Sequence, residues 1–353
     1  MSTTYPATAP PVLRKEDPLA LYWNEKVSSL ATIDQFHFSE EEKERHRIYS
    51  LALMKLVWNY WNGNKKGTTG EYPWREKQQW RPFKGLYRCH AVANDNDAEP
   101  PVRDYLGHNI AALAVDGDGD IIDFEFNHNI VFSSSVEHAE SRLIRRIFSL
   151  TLLDDGWNLA TKPNPTAPAT FLDNVTLYTS LEPCAQCAGI MTLAGVKEVV
   201  YLQKDFGTYC ISNILYNLTT FKQQDPNLPP PKPIAAPRPI PACDFELPHY
   251  QKLNEGYAAF FASVQEKPFW KDGTASDKAQ SVVSFLCTDN AYEIYADAVN
   301  KFNNLALSYK NFVPPPIGEN PPKPLSNKEA LEGARAFLAT AIGKARRGTP
   351  HRL

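Results

Sequence analysis

Two short motifs stand out in the 353-residue sequence: His138-Ala139-Glu140 and Pro183-Cys184-Ala185-Gln186-Cys187. Cysteines at i and i+3 lie on one face of a helix. Their sulfurs can reach one ion about 2.3 Å away, and an imidazole from a neighbouring helix can supply a third ligand. Three protein ligands leave a fourth position for water, which separates a catalytic zinc centre from a closed structural one. His138, Cys184 and Cys187 are therefore the candidate ligands of a Zn2+ ion. Glu140 lies two residues past the histidine, points to another side of the helix turn, and is free to move protons. Zinc lowers the pKa of bound water toward about 7, and a carboxylate beside that water can take its proton and pass it to a ring nitrogen and a departing amine. That chemistry is hydrolytic removal of an amino group from a ring. Taken alone, C-x-x-C is also a redox pair or two core thiols, and H-x-E says almost nothing. The pairing of the two, each at the start of a helix, is what points to a metal centre.

The surrounding pattern supplies the elements that must hold these residues. Residues 108–115 read as a strand, Asp116-Gly117-Asp118-Gly119 as a tight turn, and 121–126 as a returning strand. Ser134 and Glu137 form a capping box for a helix whose Leu143, Ile144, Ile147 and Phe148 share one face. A long connection over 150–174, with a Pro-containing loop at 161–170, leads to a strand at 174–180. Next come a helix at 184–194 and a valine-rich strand at 196–202, and a helix between two strands predicts that they run parallel. Pro183 suits the first turn of that helix, and the helix dipole favours the thiolates of Cys184 and Cys187. Upstream, helices are expected over 18–30 and 40–61, the second capped by Ser39 and Glu42. Downstream, 225–248 holds nine prolines and is expected to be an extended crossing with no regular ladder. Amphipathic helices follow over 288–309 and 327–346, separated by a Pro-rich stretch at 314–324.

The run Ser180-Leu181-Glu182-Pro183-Cys184-Ala185-Gln186-Cys187-Ala188-Gly189-Ile190-Met191, with the H-x-E motif, resembles the zinc-dependent cytidine and adenosine deaminase superfamily. It looks most like bacterial tRNA adenosine deaminases and the related guanine deaminases, over roughly residues 105–215. The resemblance implies an α/β fold: a three-layer α/β/α sandwich around a five-stranded mixed sheet, with helical N-terminal and Pro-rich, helical C-terminal additions. The corresponding division is 1–104, a deaminase core at 105–222, and 223–353. It implies Glu140 as the catalytic proton carrier, Asn127 in Glu125-Phe126-Asn127-His128-Asn129 as a hydrogen-bonding partner of the target base, and Ala139 at the substrate site. Asp205, after Val199-Val200-Tyr201, matches an aspartate that lies beside the substrate backbone in tRNA-acting members. The sequence departs from the family in its long 150–174 connection, in Phe126 where a tryptophan is common, and after Asp205, where the likeness fades. These positions would line the mouth of the pocket, so substrate identity stays open.

Composition is that of a folded protein, with 43% hydrophobic and 22% charged residues, and the 29 prolines concentrate outside the strands and helices that carry the motifs. A net charge of −3 excludes a global basic field, so nucleic-acid binding must come from local patches. One such patch is 64–90, with seven Lys or Arg against two Glu, aromatics interleaved, and Arg75, Lys77, Arg81 and Lys84 as candidate contacts. A solvated face with tryptophans packed on the N-terminal helices is the bland reading of that segment. A second basic group, Lys344, Arg346, Arg347, His351 and Arg352, closes the chain. No apolar run reaches membrane-spanning length and no apolar signal core is visible, so a cytoplasmic protein with six reduced cysteines is expected. Three functions are compatible with these features. The first is a deaminase of a nucleobase within tRNA or single-stranded RNA or DNA, adenosine to inosine or cytosine to uracil. The others are a deaminase of a free base, nucleoside or nucleotide, and a non-catalytic zinc-bearing partner subunit, a reading that the presence of Glu140 opposes. Homodimers are common among the resembled proteins.

Overall fold

The computed structural model describes residues 26–32, 35–61, 108–129, 134–159, 172–207, 210–219, 236–266, 281–286, 288–316 and 324–345. Five strands form one mixed sheet: β1 (Ala111–Val115), β2 (Ile121–Phe126), β3 (Thr176–Thr179), β4 (Glu198–Tyr201) and β5 (Arg238–Pro241), in the order β2-β1-β3-β4-β5. β1 is antiparallel to both β2 and β3, whereas β3, β4 and β5 run parallel. β1 and β4 are buried along their whole length, as expected of strands covered on both faces. Side-chain alternation identifies those faces. Asp123, Glu125 and Thr179 reach α3 (Ala139–Leu159) on one side. Phe126 and Tyr178 meet rings of α2 (Glu40–Asn59) and its C-terminal end on the other. The molecule is therefore a three-layer α/β/α sandwich, as the resemblance implied.

α2 begins with the expected capping box, Ser39 accepting from the Glu42 N–H and Glu42 accepting from the Ser39 N–H. The unbroken run from Ile48 to Met54 is buried, so this helix is covered on every side. One flank packs on β1 and β3, the other on α8 (Asp289–Asn303) and α9 (Asn327–Ala345). A stretch buried on every side must be enclosed, and the C-terminal helices enclose it. The buried Glu44 carboxylate accepts from the backbone N–H groups of Ser308 (2.7 Å) and Tyr309 (3.0 Å) and from Asn327 Nδ2 (3.3 Å). Arg45 donates to Leu325 O (2.8 Å). The β1–β2 turn is built on Asp116, whose Oδ1 accepts from the N–H groups of Asp118, Gly119 and Asp120. Gly119 has φ +98°, and a Cβ there would collide with Arg45.

Several expectations are corrected. The proline-rich stretch does form a ladder: Arg238 and Ala242 donate to Lys197 O (3.1 Å) and Tyr201 O (3.0 Å) of β4 and its approach. Pro239 and Pro241 occupy the alternate positions, whose missing N–H groups would face away from β4, and β5 is an edge strand where this is harmless. The Ser134–Glu137 box does not cap α3, which starts at Ala139 with the His138 carbonyl accepting from Arg142 N–H (3.0 Å). The Glu137 carboxylate instead pairs with Arg142 and Arg145. α3 continues to Leu159, through residues assigned to the long connection. Pro183 precedes the N-cap of α4 (Ala185–Leu193), which is Cys184, rather than entering the first turn.

Of the helix expected over 18–30, the described part is α1 (Val27–Leu30), and α8 ends at Asn303, earlier than 309. Three further helices complete the fold: α5 (Ile211–Thr219), α6 (Pro248–Glu266) and α7 (Val282–Phe285).

Two consequences can be measured. Glu44→Ala leaves two backbone donors without their acceptor and should lower stability by about 2–3 kcal/mol, read as a lower urea midpoint at unchanged slope. His46 on α2 stacks on Phe245 and lies 3.0 Å from the Tyr178 hydroxyl, and burial pushes its pKa from 6.5 down to about 4. A depressed histidine stabilises the fold fully above its unfolded pKa, and that contribution is lost as the pH falls toward the folded value. His46→Gln should therefore flatten the stability curve between pH 6.5 and 4, where this residue alone accounts for up to about 3 kcal/mol.

Candidate active site

The starts of α3 and α4 meet beside the ends of β2 and β3. His138 immediately precedes α3, and Cys184 is the N-cap of α4 in extended conformation (φ −72°, ψ 173°) with its side chain free of capping duty. His138 Nδ1 lies 3.3 Å from Cys184 Sγ and 3.5 Å from Cys187 Sγ, and the sulfurs are 3.7 Å apart. Tetrahedral coordination at ordinary Zn–S and Zn–N lengths requires ligand atoms about 3.5–3.8 Å apart, so the three atoms fit a zinc ion. Among the described residues this is the group of His, Cys, Asp or Glu side chains that could hold a metal.

Glu140, one residue into α3, is buried against this cluster. Its Oε2 lies 3.4 Å from Cys187 Sγ, and its Oε1 accepts from Thr179 Oγ1 at 2.9 Å. Asn127, at the end of β2, is also buried. Its Oδ1 accepts from His108 N–H (3.2 Å) and Asn129 N–H (3.2 Å), a turn arrangement that leaves its amide nitrogen without a partner among the described residues. A His128 N–H to Glu137 O bond (2.9 Å) ties this turn to the approach to His138. Ala139 is fully buried at the first position of α3. Asp205 lies after β4, near enough for Cys184 and His138 to act on its charge, and its carboxylate accepts from Gly207 N–H (2.9 Å).

Arg75, Lys77, Arg81 and Lys84, like most of the basic tail, lie outside the described residues.

The electrostatics are those of a cation site. The Cys184 thiol is drawn down to about 4 by its hydrogen bonds with Cys187 and His138, while the bond to Cys184 and burial push Cys187 up. Two sulfurs so close compete for one proton, and a dication between them would let both be thiolates. His138 is raised by its bond to Cys184. Glu140 is raised by burial. Two residues beyond the motif ligands also matter here. Thr179 touches Glu140, and Glu182, buried and pushed up to about 7 by desolvation, accepts from Asp205 N–H through Oε2 (3.1 Å) and so fixes the loop after β4. No spacing signal in the sequence marks either of them.

Residues 90–203 match the family model for the cytidine and deoxycytidylate deaminase zinc-binding region. That segment is a zinc-dependent deaminase domain of the cytidine/adenosine deaminase superfamily, and its cofactor is zinc. No curated protein matches the chain. One similar solved structure comes from biochemical and structural studies of A-to-I editing by tRNA:A34 deaminases at the wobble position of transfer RNA. It is 20% identical with a TM-score of 0.25, over 38% of this chain and 82% of that one.

Purified protein should carry about one zinc per chain by elemental analysis. His138→Ala, Cys184→Ser and Cys187→Ser should each remove most of it, and Glu140→Gln should not.

Proposed function

We propose that the protein is a hydrolytic deaminase of a nucleobase within a nucleic acid, either adenosine to inosine in tRNA or cytosine to uracil in a single strand. The observation that carries this reading is the Glu140 carboxylate, buried with Oε2 3.4 Å from a cysteine of the His138–Cys184–Cys187 cluster. A zinc ion held by His138, Cys184 and Cys187 supplies Lewis-acid activation of water. Glu140 takes the proton of the attacking water at Oε2, delivers it to the ring nitrogen, and passes a second to the amine, which leaves as ammonia while the ring keeps the water oxygen. Asn127, through its uncommitted amide nitrogen, holds the base edge, with Ala139 beside it at the start of α3.

Support for a polymeric substrate comes from the loop after β4. Phe206, next to Asp205, is 57% exposed and stacks on Tyr257 of α6 at 5.5 Å and 22° between planes. An exposed ring one residue past Asp205 suits a neighbouring base, which stacks without regard to sequence. The segment 64–90, with Arg75, Lys77, Arg81 and Lys84, would neutralise phosphates.

Purified protein should release ammonia from adenosine- or cytidine-containing strands or from total tRNA, with the product base identified by sequencing. Glu140→Ala should lower turnover by at least about 100-fold. Turnover confined to free bases or nucleosides would sink the polymer reading, and ammonia release that persists in Glu140→Ala would refute the mechanism.

A further inference from the structure

We infer that Thr179 is a positioning residue that aims the Glu140 carboxylate, an inference that rests on the proposed role of Glu140. Thr179 is the last residue of β3 and has no exposed surface. Its backbone carbonyl accepts from Leu202 N–H (3.1 Å), and the next residue, Ser180, accepts through Oγ from Ala111 N–H (3.0 Å), so the strand end cannot shift. A β-branched side chain on a fixed backbone has few rotamers open to it.

Valine would fill this place with the same shape, and a buried hydroxyl is unfavourable unless it is partnered. Two oxygens meet it: Glu140 Oε1 at 2.9 Å and the Leu181 carbonyl at 3.0 Å. One hydroxyl proton cannot serve both at once. When it goes to the carboxylate, Thr179 donates to Oε1. With Oε1 occupied, Oε2 is the oxygen turned toward the ligand cluster, 3.4 Å from Cys187 Sγ.

The test uses the full zinc-loaded chain with Thr179→Val and Thr179→Ser. Valine removes only the hydroxyl, and misaiming a catalytic group should lower kcat by about 10- to 100-fold. KM and zinc content should stay within about twofold, and serine should restore most of the rate. A valine variant with wild-type kcat, or a serine variant as slow as valine, overturns the inference, as does a loss confined to KM or zinc. A readout without turnover separates this from the functional reading. The infrared carboxyl band that disappears in Glu140→Gln should shift in Thr179→Val. If that band does not move, the positioning role falls even in an active enzyme; if it moves in a protein that deaminates nothing, only the functional reading falls.

Discussion

Three ligand atoms must lie within 3.7 Å of one another although they come from residues 46 and 49 positions apart. The sheet order meets that requirement. β2 and β3 are both antiparallel to β1, so they run parallel to each other and end at the same edge of the sheet. Each is followed by a helix that starts there, α3 after β2 and α4 after β3. Chemistry outside the carboxyl ends of strands is the general placement in open α/β sheets. Here it follows from one antiparallel strand placed between two parallel ones.

Convergence also requires that α3 not slide along the sheet. Arg142 and Arg146, one helical turn apart, pair with Glu125, and Arg146 also pairs with Asp123. Both acids are buried on β2, and Glu137, just before α3, pairs with Arg142 in turn. Buried charges are tolerated only when paired, so a one-turn shift of the helix would leave several without partners. The clamp spans the gap between β2 and His138, and it uses the glutamate that a capping box would otherwise have claimed.

The metal centre was legible because each half of it is a short motif, H-x-E and P-C-x-x-C, and the two occur together at the starts of two helices. β1 to β4 were legible because their residues alternate or run apolar between turn signals. β5 was not, since proline density reads as irregular chain until one knows that the strand lies at an edge and that the prolines fall on every second residue. α6 lies behind that same run. Tyr250, Leu253, Tyr257 and Phe260 recur at helical spacing there, a cue that the preceding prolines obscure. Thr179 and Glu182 carry no spacing signal. Their partners, Glu140 and the Asp205 backbone, are 39 and 23 residues away, and the fold alone brings them together.

The same structure shows why the deaminase segment depends on the rest of the chain. Residues 90–203 contain β1 to β4, α3 and α4, but neither β5 nor α2. Without β5 the whole edge of β4, buried on both faces, would present an unpaired ladder. Without α2 the face of β1 and β3 bearing Leu113 and Tyr178 would meet water. α2 does not serve alone either, because its stretch from Ile48 to Met54 is buried on every side and α8 and α9 cover the side away from the sheet. The Glu44 carboxylate holds the chain between those two helices in place through Ser308 and Tyr309. The segments on either side of the motifs thus supply the edge strand β5 and the helix α2 that covers one face of the sheet.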